Sequence, residues 1–140
     1  MLTILITAAA TFVLCASLRG FYSRPKGGGR TRFHGLVRIL PWNNEGAAFG
    51  LPIPQKVVRL LSAALLISLP FAFPGAGAAA GLVLGGGLSN LFERVIRGSV
   101  LDYWQFPKAP KRLRRYVFNF ADLALFAGVI GLVVHVLRKR

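Results

Sequence analysis

The chain carries only four carboxylates, Glu45, Glu93, Asp102 and Asp122, against 18 Lys+Arg, so each acid can be weighed individually. Asp122 is the most informative. It sits in Phe118-Asn119-Phe120-Ala121-Asp122, a few residues inside an otherwise apolar stretch. An ionisable group at such depth is expensive and marks function by default. The alternative is a carboxylate that hydrogen-bonds a neighbouring helix or pairs with an arginine. Asn119 precedes it by three positions, which puts both side chains on one helix face. Asp102 lies in Gly98-Ser99-Val100-Leu101-Asp102-Tyr103, on the loop that feeds the Asp122 stretch, so the two acids belong to the same membrane side. Two carboxyls within hydrogen-bonding range cannot both ionise cheaply. One keeps a proton, and the pair can activate a water as base and acid together. Their separation in sequence leaves that pairing open.

Other chemistries find less support. A Ser-His-Asp site needs a histidine beside a nucleophile. His34 sits in a basic loop, and His135 lies near the end of the last apolar stretch with no acid in its neighbourhood, so both read as structural. Gly85-Gly86-Gly87-Leu88-Ser89 is not the G-x-S-x-G nucleophile turn. The one cysteine, Cys15, excludes an intrachain disulfide or a multi-cysteine metal site and reads as packing. Walker, zinc and dinucleotide motifs are missing. No metal and no cofactor are expected.

The elements that must position these groups follow from composition. Of 140 residues, 54% are hydrophobic and only 16% charged, with net charge +14 and mean hydropathy +0.57. Disorder, which pairs high net charge with low hydrophobicity, is excluded. The pI of about 11.7 suggests a nucleic-acid binder, but the basic residues fall in blocks between uncharged stretches. That is the pattern of membrane spans with basic loops, and such loops attract anionic lipid without a nucleic-acid partner. Four spans are expected, at about residues 1–18, 54–73, 75–92 and 117–137 of a single membrane domain. The first competes with a cleaved signal peptide, but lacks a basic n-region. The uncharged stretch over residues 60–92 would run about 50 Å as one helix, too long for one crossing, so Pro74-Gly75 is taken as a break. Lys56 and Arg59 can snorkel to the headgroups. Gly77, Gly81, Gly85 and Ser89 recur every four residues and predict a smooth ridge for close helix contact. Between the first two spans, residues 23–31 read as flexible, and residues 32–42 as strand-like before the turn at Asn43-Asn44-Glu45-Gly46. Tyr103, Trp104 and Phe106 beside the second basic loop read as an interfacial aromatic belt. The expected fold is all-α, with a small extramembrane β-like segment between helices 1 and 2.

Three blocks carry a resemblance. Asn44-Glu45-Gly46-Ala47-Ala48-Phe49 resembles the Asn-x-Gly-Ala-Ala-Phe block of signal peptidase II, the lipoprotein signal peptidase family. Gly87-Leu88-Ser89-Asn90-Leu91-Phe92-Glu93-Arg94 with Gly98, Val100 and Asp102 is similar to its second block, and Phe118-Asn119-Phe120-Ala121-Asp122 to its third. The resemblance implies a membrane-embedded aspartic endopeptidase with Asp102 and Asp122 as its dyad. It implies site roles for Asn44, Gly46, Asn90, Arg94 and Asn119: Arg94 holds a substrate carbonyl or headgroup, and Asn90 or Asn119 orients a carboxylate. The implied substrate is a prolipoprotein cut before its diacylglyceryl-modified cysteine; a monomer is expected. Two departures stand out. Nothing in residues 1–20 matches the family's Asp-Gln-x-x-Lys, and Glu93 stands where the family has Asp. Glu93 is expected to pair with Arg97, one turn on.

Topology is contested within the sequence. Fifteen of the 18 basic residues lie in or beside the two loops that carry the candidate site, and three lie at the C-terminus. Charge bias alone puts those loops in the cytoplasm. The resemblance instead implies a catalytic end at the outer face of the bacterial cytoplasmic membrane, with both termini inside. Two other functions fit parts of the pattern: a non-catalytic relative that binds lipoprotein signal helices, and a small channel using Asp122 as an ion or proton site.

Overall fold

In the computed structural model, residues 1–23, 29–46 and 52–139 are described. The apolar stretches form α1 (Leu2–Tyr22), α2 (Gln55–Ala72), α3 (Gly77–Arg97) and α4 (Phe120–Arg138). Helices α1, α2 and α4 are long and apolar enough to cross a membrane, so the chain is a multi-pass membrane protein. Their outer faces leave large apolar side chains uncovered: Leu60, Ile67, Phe71 and Phe126 are each at least 70% exposed. In a bilayer those side chains face lipid. Pro54 caps α2, and a turn at Pro74-Gly75 separates α2 from α3. Helix α3 is as long as α1 but less apolar, because glycines and the polar Asn90, Glu93 and Arg94 occupy its length. It packs against α1, α2 and α4 together.

Two rows of small residues on α3 make that packing possible. The first row is the one read from the sequence, and it seats α1. A Cβ on Gly85 would lie 2.5 Å from the Ala8 carbonyl oxygen and 2.7 Å from Thr11 Cβ, so only glycine permits the approach. The second row seats α4, where a Cβ on Gly86 would lie 2.8 Å from the Ala121 carbonyl oxygen. Each row ends in polar residues at the same helical step: Ser89 and Glu93 on the α1 side, Asn90 and Arg94 on the other. Ile4, Ala80 and Leu132 form the apolar centre between the three helices.

One end of the bundle carries an antiparallel sheet in the order β1-β2-β3-β4: β1 (Arg30–Arg32), β2 (Val37–Asn44), β3 (Val100–Gln105) and β4 (Val117–Phe118). The segment read as strand-like, residues 32–42, supplies most of β2, which runs on through Asn43 and Asn44 where a turn was expected, and β1 begins at Arg30, inside the stretch read as flexible. The α3–α4 connection supplies the other two, which the sequence did not reveal. Val100, Leu101, Asp102 and Tyr103 are all buried, so both faces of β3 are covered and no alternation of apolar and polar residues advertises the strand. Tyr103 and Trp104 are accordingly strand residues rather than a belt at the membrane surface alone; Tyr103 stacks on Tyr22 with ring centroids 4.4 Å apart. The β2–β3 register shifts between Ile39 and Trp42, where Pro41 has no N–H to give to a ladder. The core of the glycine-rich segment read as flexible, residues 24–28, lies outside the described residues.

Candidate active site

Asp122 owes its position to a helix cap. Val117 and Phe118 pair with β3, so α4 begins only at Phe120, with Asn119 as its N-cap. Asn119 Oδ1 accepts from the Asp122 backbone N–H at 3.0 Å, and Asp122 Oδ2 accepts from the Asn119 N–H at 2.9 Å. This reciprocal capping box satisfies donors that a helix start leaves orphaned. Asp122 therefore lies in the first turn of α4, shallower than its apolar sequence context suggested.

Asp102 is placed by the sheet. Gly98 ends α3 in the left-handed region, φ 76°, and turns the chain back into β3. Trp42 of β2 stands opposite Asp102, so Asn44, two residues on, shares its face of the sheet. Asn44 Nδ2 donates to Asp102 Oδ2 at 3.1 Å, and the Gly46 N–H donates to Asn44 Oδ1 at 3.0 Å, fixing the amide. The Ala47-Ala48-Phe49 remainder of that block lies outside the described residues.

Two amides join the carboxyls. Asn119 Nδ2 donates to Asp102 Oδ1 at 2.8 Å and to Asn90 Oδ1 at 3.1 Å. Asn90 Nδ2 donates to Asp122 Oδ1 at 3.1 Å. The Asn119 side-chain oxygen and both of its N–H donors are thus engaged, which leaves one amide orientation consistent with the network. Every carboxyl oxygen accepts one bond and retains a lone pair. Asp102, Asn90 and Asn119 are buried. Burial, and then the nearby Asp122 carboxyl, push the Asp102 carboxyl up to about 7, against the opposing pull of the Asn44 and Asn119 donors and the Arg94 charge. At neutral pH such a pair shares a proton, the state in which one member takes a proton from water while the other gives one.

Arg94, one turn beyond Asn90, is half-buried and within electrostatic range of both aspartates. Among the described residues it makes no hydrogen bond or ion pair. Glu93 does not pair with Arg97. Arg97 points to the exterior, while Glu93 lies on the α1-facing row, where Arg19 Nε approaches its Oε2 at 2.9 Å. The approach is that of an ion pair, off the line of the N–H. Extending the small-residue row by one more helical step would have pointed Glu93 at α1. Tyr103 was also missed: its hydroxyl accepts the Phe120 N–H at 3.0 Å, tying β3 to the start of α4. Gln55 is another, donating to the Gly98 carbonyl at 2.9 Å and to that of Glu45. Nothing in the local sequence of either residue marks these long-range bonds. Cys15 is buried and unbridged.

The sequence profile of the family described as Signal peptidase (SPase) II matches residues 3–138. The chain belongs to the signal peptidase II family. The lipoprotein signal peptidase of Methylorubrum extorquens (strain PA1) is 34% identical over 124 residues, covering 74% of this chain and 71% of its own. That of Geobacillus kaustophilus (strain HTA426) is 35% identical over 115 residues, covering 71% and 69%. A bacterial membrane enzyme solved by the in meso method at 2.3 Å superposes with a TM-score of 0.86 over 99% of this chain and 90% of its own; at 21% identity the likeness is one of fold. The signal peptidase II blocks thus meet at one place: the end of β2, the last turns of α3 and the cap of α4 converge on Asp102 and Asp122.

Proposed function

We propose that Asp102 and Asp122 are the catalytic dyad of an aspartic endopeptidase that removes the signal peptide from lipidated prolipoproteins, cutting before the diacylglyceryl-modified cysteine. Membership of the signal peptidase II family supplies the peptidase activity and its lipoprotein precursors. The observation that carries the residue assignment is that Asn119 joins the buried Asp102 carboxyl to the half-buried Asp122 carboxyl, donating its side-chain Nδ2 to the first and its backbone N–H to the second. A water held between them loses a proton to the ionised member as it attacks the scissile carbonyl. The protonated member supports the developing oxyanion, and the proton then passes to the leaving amine. Asn44, Asn90 and Asn119 hold the carboxyls, Gly46 holds Asn44, and Arg94 takes a substrate carbonyl or headgroup. Purified protein incubated with a diacylglyceryl-modified precursor should release the signal peptide. Absence of product would overturn the reading.

Substrate choice rests on lipid. An apolar surface discriminates weakly between similar side chains, whereas buried acyl chain contributes about 0.8 kcal/mol per methylene. The unlipidated precursor should therefore be a poor substrate. In this reading α3 is the fourth crossing, its polar residues shielded by the other helices, and the enzyme acts as a monomer in the bacterial cytoplasmic membrane. The sheet end faces outward and both termini face the cytoplasm. Exposed Lys108, Lys111, Arg112, Arg114 and Arg115 then lie against anionic lipid headgroups. Impermeant-thiol labelling in a Cys15→Ser background should reach Lys111→Cys and not Lys139→Cys from outside; the reverse would overturn the orientation.

A further inference from the structure

We propose that Glu93 is a positioning residue for Asp102 and that Arg19 holds it in that role, a proposal that rests on reading Asp102 and Asp122 as the dyad. Arg19 is the one charged side chain of α1. It meets Glu93 where the α1-facing row of α3 ends, and Glu93 is only 7% exposed. The same Glu93 oxygen accepts the backbone N–H of Leu101 at 3.0 Å. Leu101 immediately precedes Asp102, so a side chain on α3 fixes the central strand next to its catalytic residue. Among the described residues Glu93 hydrogen-bonds neither aspartate, and it acts only through the strand.

The arrangement makes the two partners interdependent. A buried carboxylate is tolerated when paired and hydrogen-bonded, and becomes a strong liability when its partner is removed. A small cavity borders Arg19, Glu93, Asn90 and Asn119, and removing the Arg19 guanidinium enlarges it on the side where Glu93 can turn. Turning frees the Leu101 N–H and lets Asp102 drift from the Asn119 amide. A misplacement of about 1 Å in a reacting group can cost on the order of 100-fold in rate. Substrate-facing groups are untouched, so the loss belongs in kcat and not in KM.

The test uses the full-length protein, a lipidated precursor and steady-state kinetics, with Asp102→Asn as the reference. Arg19→Gln and Glu93→Leu should each lower kcat about tenfold or more, with KM within about twofold and an unchanged elution profile. Glu93→Gln keeps an acceptor for Leu101 and should lose less than Glu93→Leu. The double variant Arg19→Gln/Glu93→Gln carries no stranded charge, and should be more active than Arg19→Gln alone. Wild-type kcat in Glu93→Leu, or a double variant no better than Arg19→Gln, would overturn the proposal while leaving the dyad intact. If Glu93→Leu does not fold, the comparison of Arg19→Gln with the double variant decides alone. Activity in Asp102→Asn would instead remove the dyad reading itself.

Discussion

Asn119 combines two jobs that a single substitution can separate. Its Oδ1 caps α4, while its Nδ2 bridges Asp102 and Asn90. Serine is about as good an N-cap as asparagine, so Asn119→Ser should cost only a few tenths of a kcal/mol in stability. Its single hydroxyl, on a shorter arm, cannot serve both bridge acceptors. A hydrogen bond to a charged group contributes about 1.5–3 kcal/mol. Lost at the transition state, that amounts to roughly ten- to 150-fold in kcat/KM. Asn119→Ala should show a similar loss of activity together with about 0.5–2 kcal/mol of lost stability, because the cap goes too. Cleavage of a lipidated precursor and thermal unfolding in detergent, measured on both variants, supply the comparison. An Asn119→Ser enzyme that cleaves within about twofold of wild type would refute the bridging argument. Equal unfolding temperatures for the Ser and Ala variants would refute the capping argument.

The remaining expectations concern pH and packing. With Asp102 raised to about 7, kcat/KM should fall as pH rises through that value and the pair loses its shared proton. Because Arg94 pulls Asp102 downward, Arg94→Gln should move this alkaline limb to higher pH; a shift the other way would contradict the electrostatics. The raised folded value also means that Asp102 contributes stability below its ordinary 3.8 and loses it as pH climbs to about 7. Thermal stability should therefore decline over that window in wild type and decline less in Asp102→Asn. Gly85→Val forces a side chain against the Ala8 carbonyl and should cost about 1–3 kcal/mol. Gly20→Ala, with nothing within 4 Å of a new Cβ, should cost little and serves as its control.

How much of this was legible depended on whether a residue's partner lay nearby in sequence. The small-residue row on α3 and the break at Pro74-Gly75 are local patterns, and each corresponds to a feature of the fold, whereas Asn119 and Asp122 were read as one helix face and form the cap that starts α4. Asp102 and Asp122 stood out through the scarcity of acids, but their union through Asn119 and Asn90 depends on a sheet register that spacing does not encode. Strand β3 was hidden because both of its faces are buried. Glu93 was read against Arg97 on its own helix, when the row it shares with Gly81 and Gly85 turns it toward Arg19 on another. Tyr103 and Gln55 act through backbone groups far along the chain. Such partners become visible only once the elements are assembled.

The central claim is that Asp102 and Asp122 act as one water-activating pair. Asparagine keeps the size of aspartate and cannot exchange the proton, so it isolates that chemistry from packing. The decisive measurement is signal-peptide release from a diacylglyceryl-modified precursor by purified Asp102→Asn and Asp122→Asn, each shown to be inserted and monodisperse. Neither variant should yield product under conditions where the wild-type protein consumes the precursor. Cleavage by either variant at the wild-type rate would contradict the account.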